Sequence, residues 1–113
     1  MTDKIVVFST CASQEEAEKL ARLVVEQGHA ACASIVPNVR SYYRWRGAVE
    51  TAGEYLLIIK SARRRFAALC AALERAHAYE VPEVLAMPVV AGAAPYLAWL
   101  ESSLGGEKED ASR

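Results

Sequence analysis

The hairpin that residues 31–60 are predicted to form constrains the fold more than any other part of the chain. This segment is rich in β-branched and aromatic residues up to Trp45, and Gly47 supplies the reversal. It then returns as an apolar strand to Lys60. At ~3.3 Å per residue such a strand is ~43 Å long, whereas a globule of this size is only about 34 Å across. The tip of the hairpin, with Tyr42, Tyr43 and Trp45, is therefore expected to project from the domain.

The other elements follow from hydrophobic periodicity and from helix-terminating residues. Ser13 and Glu16 form a predicted capping box at the start of a helix that ends at Gly28. The predicted order is a strand at 5–10, this first helix, the hairpin, a helix from 66 to 77, an edge strand at 84–89 and a helix opened by Pro95. That order predicts an α+β fold, a ferredoxin-like βαββαβ sandwich with a long central hairpin and a C-terminal helix. Residues 1–104 form one domain, and residues 105–113 are predicted to be a disordered charged tail.

Within the hairpin, two features predict local irregularity. Pro37 and Asn38 predict a bulge or bend in the first strand, and Gly53 predicts a bulge in the second.

The strands of this sheet are apolar on both faces. Leu56 and Ile58 face one way while Leu57 and Ile59 face the other, and residues 5–8 and 84–87 repeat the pattern. Two helices can cover only one face of such a sheet. We therefore expect the chain to self-assemble, although the pattern does not give the number of subunits.

Composition excludes several classes of function. A net charge of -1 over 113 residues argues against nucleic-acid binding. No apolar run is long enough for a membrane span and no signal-peptide pattern opens the chain, so we expect a cytoplasmic protein. The three cysteines, Cys11, Cys32 and Cys70, are expected to be reduced and packed as small apolar residues.

The best candidate metal site lies where the second helix gives way to the last strand. His77, Tyr79, Glu80 and Glu83 place imidazole, phenol and carboxylate groups within seven residues. These donors could bind a borderline ion such as Cu²⁺, with other subunits completing the site. The alternative is that His77 ends the helix while Tyr79 and Glu83 fix the loop through hydrogen bonds.

The other charged residues are predicted to lie in solvent or at subunit contacts, and not to take part in catalysis. Glu50 and Glu54 are expected to lie on a solvated edge of the hairpin. Arg40, Arg44 and Arg46 alternate with aromatic residues and are expected to pair with carboxylates across a subunit boundary. No catalytic motif is present, so we expect neither an enzyme nor an organic cofactor.

Five blocks of the sequence resemble the CutA divalent-cation tolerance family in order and spacing. The resemblance runs from residue 5 to residue 104, with Ser34, Ala78 and Ser9 replacing the Asn, Pro and Cys found in other members. The blocks are ACASIVP at 31–37, SYYRWRG at 41–47, LLIIK at 56–60, HAYEVPE at 77–83 and YLAW at 96–99.

The resemblance implies a homotrimer whose hairpins extend across neighbouring subunits, with an architecture similar to the PII signalling proteins. It also implies binding of copper or other divalent cations, as in some members. Serine at position 9 argues against a thiolate copper site.

Three functions stay open at this point. The first is a tolerance protein that binds Cu²⁺ or another divalent ion weakly in clefts between subunits. The second is a PII-like signalling trimer that binds a small ligand, and the third is a structural trimeric scaffold for an unidentified protein partner.

Overall fold

The computed structural model describes residues 1–105 and confirms the predicted order of elements. A single 3-10 turn, Arg63–Arg65, precedes the second long helix. The elements are β1 (Lys4–Cys11), α1 (Gln14–Glu26), β2 (Cys32–Trp45), β3 (Ala48–Ala62), α2 (Phe66–Ala76), β4 (Leu85–Pro88) and α3 (Ala94–Ser102). The strands form one antiparallel sheet in the order β2-β3-β1-β4, which is the topology of a ferredoxin-like α+β fold.

Helix α1 begins and ends where the sequence predicts. The Ser13 hydroxyl accepts a hydrogen bond from the Glu16 amide at 3.1 Å, which satisfies one of the free N–H groups at the helix start. Gly28 follows the helix with a φ of 76°, a left-handed conformation that favours glycine. A side chain at Gly28 would also meet the backbone of Gly105, whose amide donates to the Gly28 carbonyl at 3.1 Å.

The reversal between β2 and β3 is a two-residue turn. Arg46 and Gly47 both have positive φ, 52° and 85°, as a type I′ hairpin turn requires. The predicted reversal at Gly47 is therefore confirmed.

One of the two predicted bulges is present. The β2–β3 register shifts between Val36 and Val39, and Asn38 has a φ of 64°. Proline has no N–H to donate to the ladder and asparagine tolerates the left-handed conformation, so the irregularity falls on Pro37 and Asn38. The prediction of a bulge at Gly53 was wrong, because Gly53 pairs with Arg40 in regular register.

The hairpin makes the chain elongated. Its principal extents are 51 × 27 × 22 Å, and the Cα radius of gyration is 15.0 Å, against about 13 Å for a compact domain of this length. The predicted projection of the hairpin is confirmed. At its tip Tyr42 is 69% exposed and Trp45 is 39% exposed.

The main core lies between the helices and one face of the sheet. Side chains from β1 and β3 meet the apolar stripes of α1 and α2 there, and most are completely buried. The central members of this core are Ile5, Val7, Leu20, Val24, Leu57, Ile59, Leu69 and Leu73.

The opposite face of the sheet is also apolar, as predicted. Val6, Phe8, Leu56 and Ile58 are only partly buried within the chain. Leu85 and Met87, which pair with Phe8 and Val6, are 59% and 40% exposed. We name this surface, defined by Val6, Phe8, Val36, Leu56, Ile58, Leu85 and Met87, the open face.

Helix α3 packs at one end of the sheet. Leu100 and Leu104 are buried against Ala31 and Ala62 in a second, smaller core. The Glu101 carboxylate accepts a hydrogen bond at 2.9 Å from the buried Lys4 ammonium. These contacts attach α3 and Leu104 to the sheet.

Several remaining predictions can be compared with residues 1–105. The last strand is shorter than predicted and lies at the sheet edge, where it pairs only with β1. Cys11, Cys32 and Cys70 are free, and no helix in the described part is both long and apolar enough to cross a membrane. Of the predicted tail at 105–113, all but Gly105 lies outside the described residues.

Two buried serines provide a matched test of polar burial. Ser9 and Ser61 are both inaccessible to solvent, but the Ser61 hydroxyl donates to the His29 carbonyl at 2.6 Å, whereas the Ser9 hydroxyl has no partner among the described residues. We expect Ser61→Ala to lower the free energy of unfolding by about 1 kcal/mol, and Ser9→Ala to leave it unchanged or raise it. Urea unfolding at one protein concentration measures both values.

The two substitutions remove the same atom, so their difference reports the hydrogen bond. An equal loss of stability in both variants would contradict this interpretation.

Candidate functional site

A cleft of about 540 Å³ lies between the hairpin and the loop that joins α2 to β4. Thr10, near the end of β1, lines the cleft between the hairpin and this loop. The hairpin contributes Ser41, Tyr42, Tyr43, Trp45 and Glu54, and the loop contributes Tyr79, Glu80, Val81 and Glu83. Three of the four predicted metal ligands therefore line this cleft.

His77, the fourth, is buried and holds the loop instead. Its Nε2 lies 2.8 Å from the Thr10 carbonyl oxygen, and its Nδ1 lies 3.1 Å from the Tyr79 amide nitrogen. A carbonyl can only accept and an amide N–H can only donate, so both contacts are satisfied by a neutral ring with its hydrogen on Nε2. Both ring nitrogens of His77 are thus committed within the chain.

Glu16 supports the same loop from α1. Its Oε2 accepts a hydrogen bond from the Ala78 amide at 2.8 Å and lies 3.5 Å from Nδ1 of His77. The predicted capping box therefore forms only in part, because the Glu16 carboxylate turns to the loop. Sequence reasoning did not predict this contact, which joins residues 62 positions apart.

Tyr79 connects the loop to the hairpin. Its hydroxyl donates a 2.6 Å hydrogen bond to Oε2 of Glu54, and its ring lies 4.9 Å from that of His77. Burial, followed by the hydrogen bond and the negative charge of Glu54, raises the pKa of Tyr79 above its ordinary value. Tyr79 therefore keeps its proton and acts as a donor.

Glu54 corrects an expectation from the sequence. It was predicted to lie on a solvated edge of the hairpin, but only 8% of its surface is exposed. It pairs with Val39 immediately after the bulge at Pro37 and Asn38, where its carboxylate reaches Tyr79. The alternation of polar and apolar residues along β3 gives no information about the loop between α2 and β4, which covers Glu54 in the folded chain.

Glu80 lies at the exposed rim of the cleft. Its Oε1 is 3.8 Å from Nη2 of Arg46, and the Arg46 guanidinium lies 5.4 Å from the ring centroid of Trp45. Arg46 was expected to pair across a subunit boundary, yet it has this carboxylate partner within its own chain. An exposed pair at this distance contributes little to stability.

The predicted ligands do not converge within one chain. Among residues 1–105, no three His, Cys, Asp or Glu side chains lie close enough together to hold a metal ion. His77 points both nitrogens at backbone atoms, while Glu80 and Glu83 line the cleft without forming a common centre with it. A metal site completed by another subunit stays a prediction.

The sheet order and the helix packing define a ferredoxin-like α+β domain with a projecting hairpin and an acidic, aromatic cleft. The model of the CutA1 divalent ion tolerance protein family matches residues 5–103. The chain therefore belongs to this family, as its sequence blocks suggested.

Individual relatives agree with this assignment. The divalent-cation tolerance protein CutA of Thermus thermophilus is 40% identical over 100 residues, which are 88% of this chain and 97% of that protein. The Thermus thermophilus structure has a TM-score of 0.88 at 39% identity, covering 90% and 99% of the two chains. The CutA1 structure of Oryza sativa has a TM-score of 0.89 at 39% identity, covering 92% and 95%.

Plant and mammalian relatives are longer. The chloroplastic CutA of Arabidopsis thaliana is 41% identical over 99 residues, which are 88% of this chain and 54% of that protein. The chain spans about half the length of such relatives.

The contact between Tyr79 and Glu54 can be tested by removing one oxygen. We expect Tyr79→Phe to lower the free energy of unfolding by about 1 to 2 kcal/mol, because it leaves a buried carboxylate without its donor.

The contribution of Tyr79 to stability should also depend on pH. Tyrosines of the unfolded chain ionise near pH ~10, whereas folded Tyr79 keeps its proton, so stability falls as pH rises above that value. The Tyr79→Phe variant should lose stability less steeply than the wild type in urea titrations above that pH.

Tyr96→Phe is the matched control, since Tyr96 lies on α3 outside the cleft. If Tyr79→Phe and Tyr96→Phe behave alike in both stability and pH dependence, the hydrogen bond does not fix the loop.

Proposed function

We propose that this member of the CutA1 family works as a homotrimer that binds Cu²⁺ or another divalent cation weakly in the cleft beside Glu54. The family is named for divalent ion tolerance and not for a reaction. A binding role, without catalysis or an organic cofactor, fits that name.

The carboxylate of Glu54 carries the proposal. It is 92% buried and lines the cleft, and its one side-chain hydrogen bond within the described residues comes from a neutral phenol. Neither lysine nor arginine lines the described part of the cleft, and Glu54 forms no ion pair within residues 1–105. A buried carboxylate without a cationic partner favours the binding of a cation.

The donors suit a weak site. Glu54 and Glu83 offer carboxylate oxygens, whereas the His77 nitrogens are already bonded within the chain. Carboxylate oxygens bind a wide range of divalent ions, and two of them alone leave several positions to water or to a neighbouring subunit. Low affinity and limited selectivity are the expected result.

The open face supports assembly. Exposed apolar groups of the open face, such as Leu85 and Met87, would remain in water in a single chain. Burial of the open face between subunits would remove that surface, and the family resemblance supports three subunits. We propose a cytoplasmic location because Cys11, Cys32 and Cys70 are free.

A PII-like role in binding a small ligand is the second candidate. The cleft volume of about 540 Å³ falls within the range of small-molecule sites, and aromatic residues of the hairpin line it.

Isothermal titration calorimetry tests the role of Glu54 in metal binding. We expect wild-type protein to bind Cu²⁺ and Mn²⁺ weakly, and Glu54→Gln to reduce the affinity by about tenfold or more, equal to ~1.4 kcal/mol. Glu50→Gln is the control, because it makes the same change of charge on the same strand at an exposed position outside the cleft. Equal metal affinity in the wild type and Glu54→Gln would contradict the proposal.

A further inference from the structure

The acidic groups of the cleft are distributed along it. Glu54 is buried beside Tyr79, Glu83 is partly buried, and Glu80 lies at the exposed rim. No three His, Cys, Asp or Glu side chains of the described chain lie close enough together to form a complete metal centre. A metal ion requires its ligands to converge at about 2 to 2.6 Å, so this distribution suits a ligand that carries several separated positive charges.

Aromatic rings line the same cleft as these carboxylates. Tyr42, Tyr43 and Trp45 line the hairpin side of the cleft, and Tyr79 lines the loop side. Ring faces attract organic cations and also provide apolar contact for the carbon chain between the charges. A hydrated inorganic ion gains much less from such a surface.

At the rim of the cleft, Arg46 is an organic cation of the chain itself that lies next to an aromatic ring and a carboxylate. The guanidinium of Arg46 lies 5.4 Å from the Trp45 ring centroid, with the Glu80 carboxylate 3.8 Å away. One ring and one carboxylate thus hold one organic cation. Glu54 and the ring of Tyr79, which are less exposed, present the same two kinds of group, and neither lysine nor arginine lines the described part of the cleft.

We propose that the cleft binds an aliphatic di- or polyamine. The buried Glu54 carboxylate pairs with one ammonium group, Glu83 pairs with a second, and the aromatic rings contact the methylene chain between them. The volume of about 540 Å³ accommodates such a chain, whereas a single metal ion would leave most of it empty. This inference rests on the proposed function in one respect, that the cleft takes cations, and it specifies an organic cation.

Calorimetry with putrescine and spermidine on the full-length protein tests the proposal. We expect both amines to bind, and spermidine to bind at least fivefold more tightly because it carries one more charge. The uncharged analogue 1,4-butanediol should not bind. Sodium chloride at matched ionic strength controls for charge screening.

Variants locate the site. Glu54→Gln should weaken spermidine binding by tenfold or more, while Glu50→Gln should change it less than twofold. Circular dichroism and sedimentation check that Glu54→Gln keeps the fold and assembly of the wild type. If it does not, Glu83→Gln serves in its place and should weaken binding by at least threefold.

Two results would overturn the inference. One is that spermidine binds no better than 1,4-butanediol. The other is that Glu50→Gln and Glu54→Gln weaken spermidine binding equally, which is the result of a diffuse surface charge. Metal titrations of the same samples separate this inference from the proposed function. Binding of Mn²⁺ without spermidine would refute the amine site alone, and binding of spermidine without metal would refute the metal site alone.

Discussion

The structure depends on a sheet that is apolar on both faces and on a hairpin longer than the domain that carries it. Helices α1 and α2 bury one face, with Val7, Leu57 and Ile59 at its centre. The other face retains Leu85 and Met87 in solvent, and the strands of 14 and 15 residues extend the molecule to 51 Å. Both features favour the assembly that we propose, because a second chain would cover the apolar surface that this chain leaves in solvent.

The cleft is a product of the same hairpin. The β2–β3 register shifts at Pro37 and Asn38, and Glu54 pairs with the first residue after the shift. The hydrogen bond between Glu54 and Tyr79 joins the hairpin to the loop before β4. His77 fixes the loop through hydrogen bonds between its two ring nitrogens and backbone atoms of residues 10 and 79. The cleft thus lies where the projecting hairpin meets the domain, and the proposed assembly and the proposed cation binding both depend on this hairpin.

Local patterns in the sequence predicted most of the fold, because they depend on neighbouring residues. The cap at Ser13, the left-handed Gly28 and the edge position of β4 are examples. The site was less predictable, since its contacts join distant residues. The burial of Glu54 depends on a tyrosine 25 positions away, and the bonding of His77 depends on a carbonyl 67 positions away. Periodicity within one element gives no information about such contacts, so the sequence predicts Glu54 in solvent and does not predict the hydrogen bond from His77 to residue 10.

Sedimentation velocity at nanomolar concentration tests whether the open face and the hairpin require other copies of the chain. We expect a single species of about three times the chain mass of 12.3 kDa, unchanged on dilution. A stable, folded species of 12.3 kDa at that concentration would contradict it.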